Sequence, residues 1–186
     1  MKESNREKLN FSKYVKEAFI FLHDFGYLIQ YEDEFFVKYV GQNNEIKISH
    51  EKLSYEIDIG LSQGGNANNY SLGLLIELLD GSIKYRNPSA TIEELVEEFI
   101  FVQAELFRKY GERIITGDTE IWVELEELAK EISSKMEIES KLLYVREKAE
   151  KAFREQRYKD VISLLSDVEF YLTPAEKKKL AYARNH

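Results

Sequence analysis

Apolar side chains recur at three- and four-residue steps from Phe11 through Tyr14, Val15, Ala18, Phe19 and Leu22 to Phe25, which sets them on one stripe of a helix. Gly26 stands where a left-handed cap is usual, so the helix is expected to end there. The period then changes to two. Residues 27–31, 34–40, 45–49 and 53–61 read as strands, with Phe35, Val37 and Tyr39, then Ile46 and Ile48, then Tyr55, Ile57 and Ile59 on the inner face. Glu32-Asp33, Gly41-Gln42-Asn43-Asn44 and His50-Glu51-Lys52 have turn chemistry between them. Short connections and clean alternation predict an antiparallel meander with one wet face, carrying Lys38, Glu45, Lys47, Glu56 and Asp58.

Residues 62–69 form a Gly/Asn-rich loop, and residues 71–79 a short helix. Thr91-Ile92-Glu93-Glu94 has the spacing of a capping box for a helix reaching about Tyr110, with Leu95, Val96, Phe99, Val102, Leu106 and Tyr110 inward. Apolar spacing then marks helices over residues 121–136, 138–156 and 158–172, and Thr173-Pro174-Ala175-Glu176 opens a basic last helix as a second capping box. The first nine residues are polar and expected to fray. The expected class is α+β: an N-terminal helix, a four-stranded antiparallel meander, then a mostly helical C-terminal half. Residues 1–118 are expected to form the α+β domain and residues 119–186 a helical appendage packed on it.

Composition narrows the function classes. The chain has no Cys, which excludes a disulfide scaffold, a thiolate metal site and a Cys nucleophile, and points to a reducing, cytoplasmic setting. No apolar run approaches membrane-spanning length, and the charged start lacks a secretory core, so no membrane association is expected. The net charge of −8 is unevenly spread: −3 over residues 1–86, −9 over 87–140 and +4 over 141–186. An acidic middle opposes association with phosphodiesters, so a nucleic-acid partner is not expected.

Few residues suggest bond-making chemistry. GxSxG, GxGxxG, phosphate-loop and HExxH patterns are absent, so no cofactor or metal site is expected. Of the histidines, His23 lies off the helical stripe, His50 in a turn and His186 at the end, and all three are expected to face solvent. Glu45-Ile46-Lys47 with Asp58 on the next strand is the spacing of some metal-dependent phosphodiesterases, in which the carboxylates hold the metal and the ammonium steadies a hydroxide. Cross-strand Glu–Lys pairs on a wet face account for the same residues.

Residues 144–174 resemble a single tetratricopeptide-like helical hairpin, through Ala149, Ala152, Phe153, Tyr158, Val161, Ile162, Leu165 and Val168 followed by Thr173-Pro174. Gln156 departs from the Gly often found in such a turn, Val161 from the usual Ala, and no second copy follows. The reading that fits the whole chain is a noncatalytic cytoplasmic binding or adaptor protein, of antitoxin- or immunity-like character, that meets a protein with a basic surface through an acidic helical face. Its candidate partner-facing residues are Glu97, Glu98, Glu124, Glu126, Glu127 and Glu131. Phe21, Phe36 and Phe101 fall off their stripes: if all three are exposed they mark a partner surface, and if they are buried the sheet and helices are sandwiched. Self-association of the basic C-terminal helices with the acidic belt of another copy is the third reading.

Overall fold

The computed structural model describes residues 6–65 and 68–186, except the Glu7 side chain. The predicted fraying of residues 1–5 and the tip of the Gly/Asn loop at residues 66 and 67 lie outside them. The chain divides into two compact units, Met1–Ala129 and Lys130–His186.

The first unit is α+β. Helix α1 (Phe11–Ala18) runs into a 3₁₀ segment, Ile20–Phe25, so the single predicted helix changes pitch at Phe19. Gly26 closes it with φ 80°, as its lack of a Cβ permits. The antiparallel sheet follows: β1 (Leu28–Glu32), β2 (Phe36–Val40), β3 (Asn44–His50), β4 (Ile57–Gln63) and β5 (Tyr70–Ser71), in sequential order. Its register aligns Val37, Ile48 and Ile59 in one row and Tyr39, Ile46 and Leu61 in the next, all fully buried. A one-residue slip would turn these side chains into water and the lysines into the core, so the alternation itself fixes the pairing.

The sheet has five strands where four were expected. Tyr70 and Ser71 pair with Leu61 and Gly60, and the Ser71 hydroxyl also accepts from the Leu74 amide to cap α2 (Leu72–Leu79). Residues 53–56 leave the predicted fourth strand, because Tyr55 takes φ 58° in the turn that precedes β4. Helix α3 (Glu93–Tyr110) lies next, then the single turn α4 (Glu112–Ile115). The buried face of α3 is Val96, Ile100, Gln103, Ala104, Phe107 and Tyr110, rotated from the expected stripe, so that Val102 is outside. Nor is Thr91 a cap: the helix starts at Glu93 with Ile92 as an N-cap that makes no side-chain bond. The Glu93 carboxylate accepts from Asn10 Nδ2 at 2.7 Å and from the Tyr14 hydroxyl at 2.8 Å, which ties α3 to α1. Those bonds hold its carboxyl below the usual range, Asn10 first.

The predicted breaks at residues 137 and 157 differ in outcome. No Pro or Gly interrupts residues 118–156, and one helix, α5 (Glu120–Arg154), replaces the two expected. It ends where Gln156 adopts φ 58° and the Arg157 amide donates back to Ala152 O at 2.9 Å. In the second unit, Leu142, Val145, Ala149 and Ala152 of α5 share a core with Val161 and Leu165 of α6 (Tyr158–Ser166) and Leu180 and Ala183 of α7 (Pro174–Arg184). Here the expected capping box is present: Thr173 Oγ1 accepts from the Glu176 amide at 3.3 Å, and the Thr173 amide donates to the Glu176 carboxylate at 2.7 Å. The two threonines differ because Glu94 has no such reach-back bond, whereas Glu176 is also gripped by Arg146 at 2.8 Å.

Candidate functional site

On α3, burying Val96, Ile100, Ala104 and Phe107 forces the opposite stripe outward. That stripe is Glu94, Glu97, Glu98, Phe101, Val102 and Glu105, all exposed at steps of three and four. Phe101 is 41% exposed and Val102 50%. Glu105 is paired with Arg108 at 3.0 Å. Glu94, Glu97 and Glu98 have no ion-pair partner among the described residues. The helix N-terminus favours some negative charge there, but it offers no reason for two adjacent apolar side chains in water. Of the three off-stripe phenylalanines, Phe101 is exposed. Phe21 is buried with the Arg108 guanidinium 4.3 Å from its ring centre, and Phe36 is half-buried.

The acidic residues of α5 are not equivalent. Glu124 accepts from both terminal nitrogens of Arg113 at 2.8 Å, and Arg113 Nε donates to Asp118 at 2.7 Å. This fork holds the Glu124 and Asp118 carboxyls below their usual range and raises the guanidinium pKa. Sequence spacing gave no sign of it, because the pair bridges the turn between α4 and α5. Glu124 therefore offers a partner little uncompensated charge. Glu126 is half-buried, and Glu127 and, in the second unit, Glu131 are exposed.

Glu45, Lys47 and Asp58 share the outer face of the sheet without converging. Asp58 pairs with Ser49 in the register, four residues along β3 from Glu45, on the order of 13 Å at the rise of a strand. Each has its own neighbour. Glu45 is bound to Lys38 at 2.7 Å, Lys47 Nζ lies 4.6 Å from the Phe36 ring centre, and Asp58 accepts from Asn87 at 3.1 Å. Burial pushes the Asp58 carboxyl up. No group of three or more His, Asp or Glu side chains among the described residues is placed to hold a metal ion.

His50 corrects the expectation of a solvent-facing ring. It is the last residue of β3 and 1% exposed, because the Phe11 ring stacks on it at 5.6 Å and Tyr55 meets it edge-on at 5.8 Å. Its Nε2 lies 2.9 Å from Ala90 O, which can only accept, so the proton is assigned to Nε2, and the buried Nδ1 has no hydrogen-bond partner among the described residues. Burial lowers the imidazole pKa, and the Arg6 cation adds to this. The unfolded chain takes up a proton near pH 6.5 that the folded chain resists, so stability falls as pH drops through that value. The unfolding free energy from urea titrations should decline between pH 7 and pH 5, by at most about 1.4 kcal/mol per pH unit for this one proton. In His50→Gln the decline should flatten; an unchanged slope would assign it elsewhere.

Residues 6–9 are also not the polar fringe expected. Arg6 and Leu9 are buried, and the Arg6 guanidinium donates to the carbonyls of His50 at 3.1 Å, Glu51 at 2.7 Å and Lys52 at 2.6 Å, over the Tyr55 ring. No helix among the described residues is long and apolar enough to cross a membrane. No protein-family model, curated protein or solved structure matches this chain.

Proposed function

We propose that the chain is a noncatalytic protein-binding module, and that its docking surface is the outer stripe of α3. The observation that supports this is the pairing of exposed Phe101 and Val102 with the unpaired carboxylates of Glu97 and Glu98, one helical turn away. Such a patch suits a partner that presents an apolar anchor ringed by lysine or arginine: the carboxylates steer approach and reject acidic surfaces, and the apolar pair supplies contact area. This is the chemistry by which an antitoxin- or immunity-like protein would cover a basic surface of its target. For the second unit we propose a tetratricopeptide-like hairpin, a reading supported by the small residues Ala149 and Ala152 standing in its core against Val161 and Leu165.

The test is capture of partners from the source cell by the whole protein, its Glu97→Lys/Glu98→Lys form and its Phe101→Asp form, with Lys177→Glu as a control outside the patch. The reading requires a basic partner that is retained by the wild type and the control, released by rising salt, and lost with both α3 variants. A captured set identical for all four proteins overturns it. Sedimentation of the isolated chain separates out self-association: if a second copy is the occupant, the same α3 variants abolish a dimer.

A further inference from the structure

On the outer face of the sheet, away from α3, a groove of about 360 Å³ opens between β2, β3 and residues 51–54. Its two ammonium groups rest on aromatic rings and not on carboxylates. Lys47 Nζ lies 4.6 Å from the ring centre of Phe36, and Lys52 Nζ 4.2 Å from that of Phe35. Neither makes an ion pair among the described residues. Asp33 is the carboxylate that feels Lys52, but it does not line the groove. One of its oxygens accepts from the amides of Phe35 and Phe36 at 2.7 and 2.8 Å, and the other from the Tyr31 hydroxyl at 3.1 Å. Glu51 is the one carboxylate among the lining residues.

Hydroxyl donors complete the set. Ser49 and Ser54 both line the groove; Ser49 makes no side-chain hydrogen bond among the described residues, and Ser54 Oγ only accepts, from the Glu56 amide at 3.4 Å. The turn that carries Lys52 and Ser54 is held in place by the three carbonyl bonds of Arg6. Leu53, 95% exposed, stands at the groove as an apolar wall with nothing against it.

We propose that this groove binds a phosphomonoester carried on a small apolar body. Two point-charge ammonium groups and two hydroxyls, one of each on β3 and one of each on the turn that Arg6 holds, match the several oxygens of a phosphate, whereas a carboxylate is served best by a planar guanidinium fork, and the Arg6 fork is turned onto carbonyls. The volume falls in the range of small-ligand sites, and the phenylalanine edges with Leu53 receive the body. The long-range field of an acidic protein does not forbid this, because a Debye length of about 8 Å at physiological salt lets the local lysines decide.

Calorimetric titration of the full chain with phenyl phosphate tests the site. Saturable binding is expected, weakened about tenfold by Lys47→Gln or by Lys52→Gln, and about a hundredfold by both, at the strength of charge-assisted hydrogen bonds. Glu51→Gln should tighten it severalfold, an opposite sign that a merely structural disturbance would not produce. Inorganic phosphate should bind more weakly, for want of the apolar body, and benzoate more weakly still. All three substituted side chains are exposed, and an unchanged Trp122 fluorescence melt would show that each variant folds. The proposal is overturned by the absence of saturable binding, by binding indifferent to the double lysine variant or to Glu51→Gln, or by benzoate or inorganic phosphate binding as tightly as phenyl phosphate.

Discussion

Replacing Asn44 with alanine is expected to destabilise the first unit by about 3 kcal/mol, the cost of breaking a buried, mutually satisfied network. Asn44 opens β3 and is 4% exposed. Its Nδ2 donates to Ile114 O at 2.6 Å, while its Oδ1 accepts the Tyr27 hydroxyl at 2.5 Å. One side chain thus satisfies the carbonyl of α4 and the phenol at the entrance to β1. Tyr27 is itself fully packed, and burial pushes its hydroxyl up to about 12, so it has no ionised alternative at neutral pH. After Asn44→Ala, the Tyr27 hydroxyl keeps only a 3.3 Å contact to Ile114 O. Tyr27→Phe removes one donor and leaves the Asn44–Ile114 bond, so it should cost less, about 1 kcal/mol. The double variant should fall short of the sum by more than 0.5 kcal/mol, the mark of groups sharing partners. Urea unfolding followed by Trp122, the single tryptophan and a member of this core, reads the first unit directly. Additive losses would disprove the network.

The second large effect is expected at Arg6. Arg6→Ala should cost about 2–3 kcal/mol, because three carbonyls of the 50–52 segment lose a charged donor together and the Tyr55 ring loses the cation 4.1 Å above it. Arg6→Lys should recover less than half of this. An ammonium cannot present a planar fork to carbonyls that lie side by side. The same fluorescence-detected unfolding decides, and a loss under 0.5 kcal/mol, or full rescue by lysine, would show that the fork does not hold the turn. His50 gives an independent readout: with the segment loosened, its ring gains water and the fall in stability below pH 6.5 should become shallower.

Both effects rest on side chains that local pattern undervalued. The α+β class, the core rows of the meander and the capping box at Thr173 were legible because each is written in neighbouring residues: period two, period 3.6, or a four-residue motif. Asn44 read as a turn residue and Arg6 as part of a polar start, since their partners lie 70 and 44 to 46 positions away. His50 read as the first residue of a turn, and only the approach of Phe11 and Tyr55 buries it. In the α3 stripe Val96 and Tyr110 are buried and Leu95, Phe99 and Leu106 pack against the core as expected, but Val102 is outside and Ile100, Ala104 and Phe107 are inside, because Val102 is as apolar as they are and composition alone does not say which row meets α1. At Thr91 the local motif did not form, because the helix begins two residues later, at Glu93, with Ile92 as its N-cap. The acidic candidates were legible as exposed charge at Glu97 and Glu98. At Glu124 they were not, because Arg113 reaches across a bend between helices. The groove of Lys47 and Lys52 left no linear signature, since its donors come from a strand and a turn and its aromatic wall from residues 35 and 36.

The sheet order puts β1 and the two-residue β5 at the borders, and β1 shifts register between Ile29 and Tyr31, so that Gln30 faces no residue of β2. A border of this kind is a poor template for further strands, since a kinked row of amides cannot be matched along its length by a straight one. The opposite border is too short to recruit anything. Growth of the sheet by edge pairing is therefore disfavoured at both borders, and a deletion of Gln30 that straightened β1 should make that border a better template for a further strand.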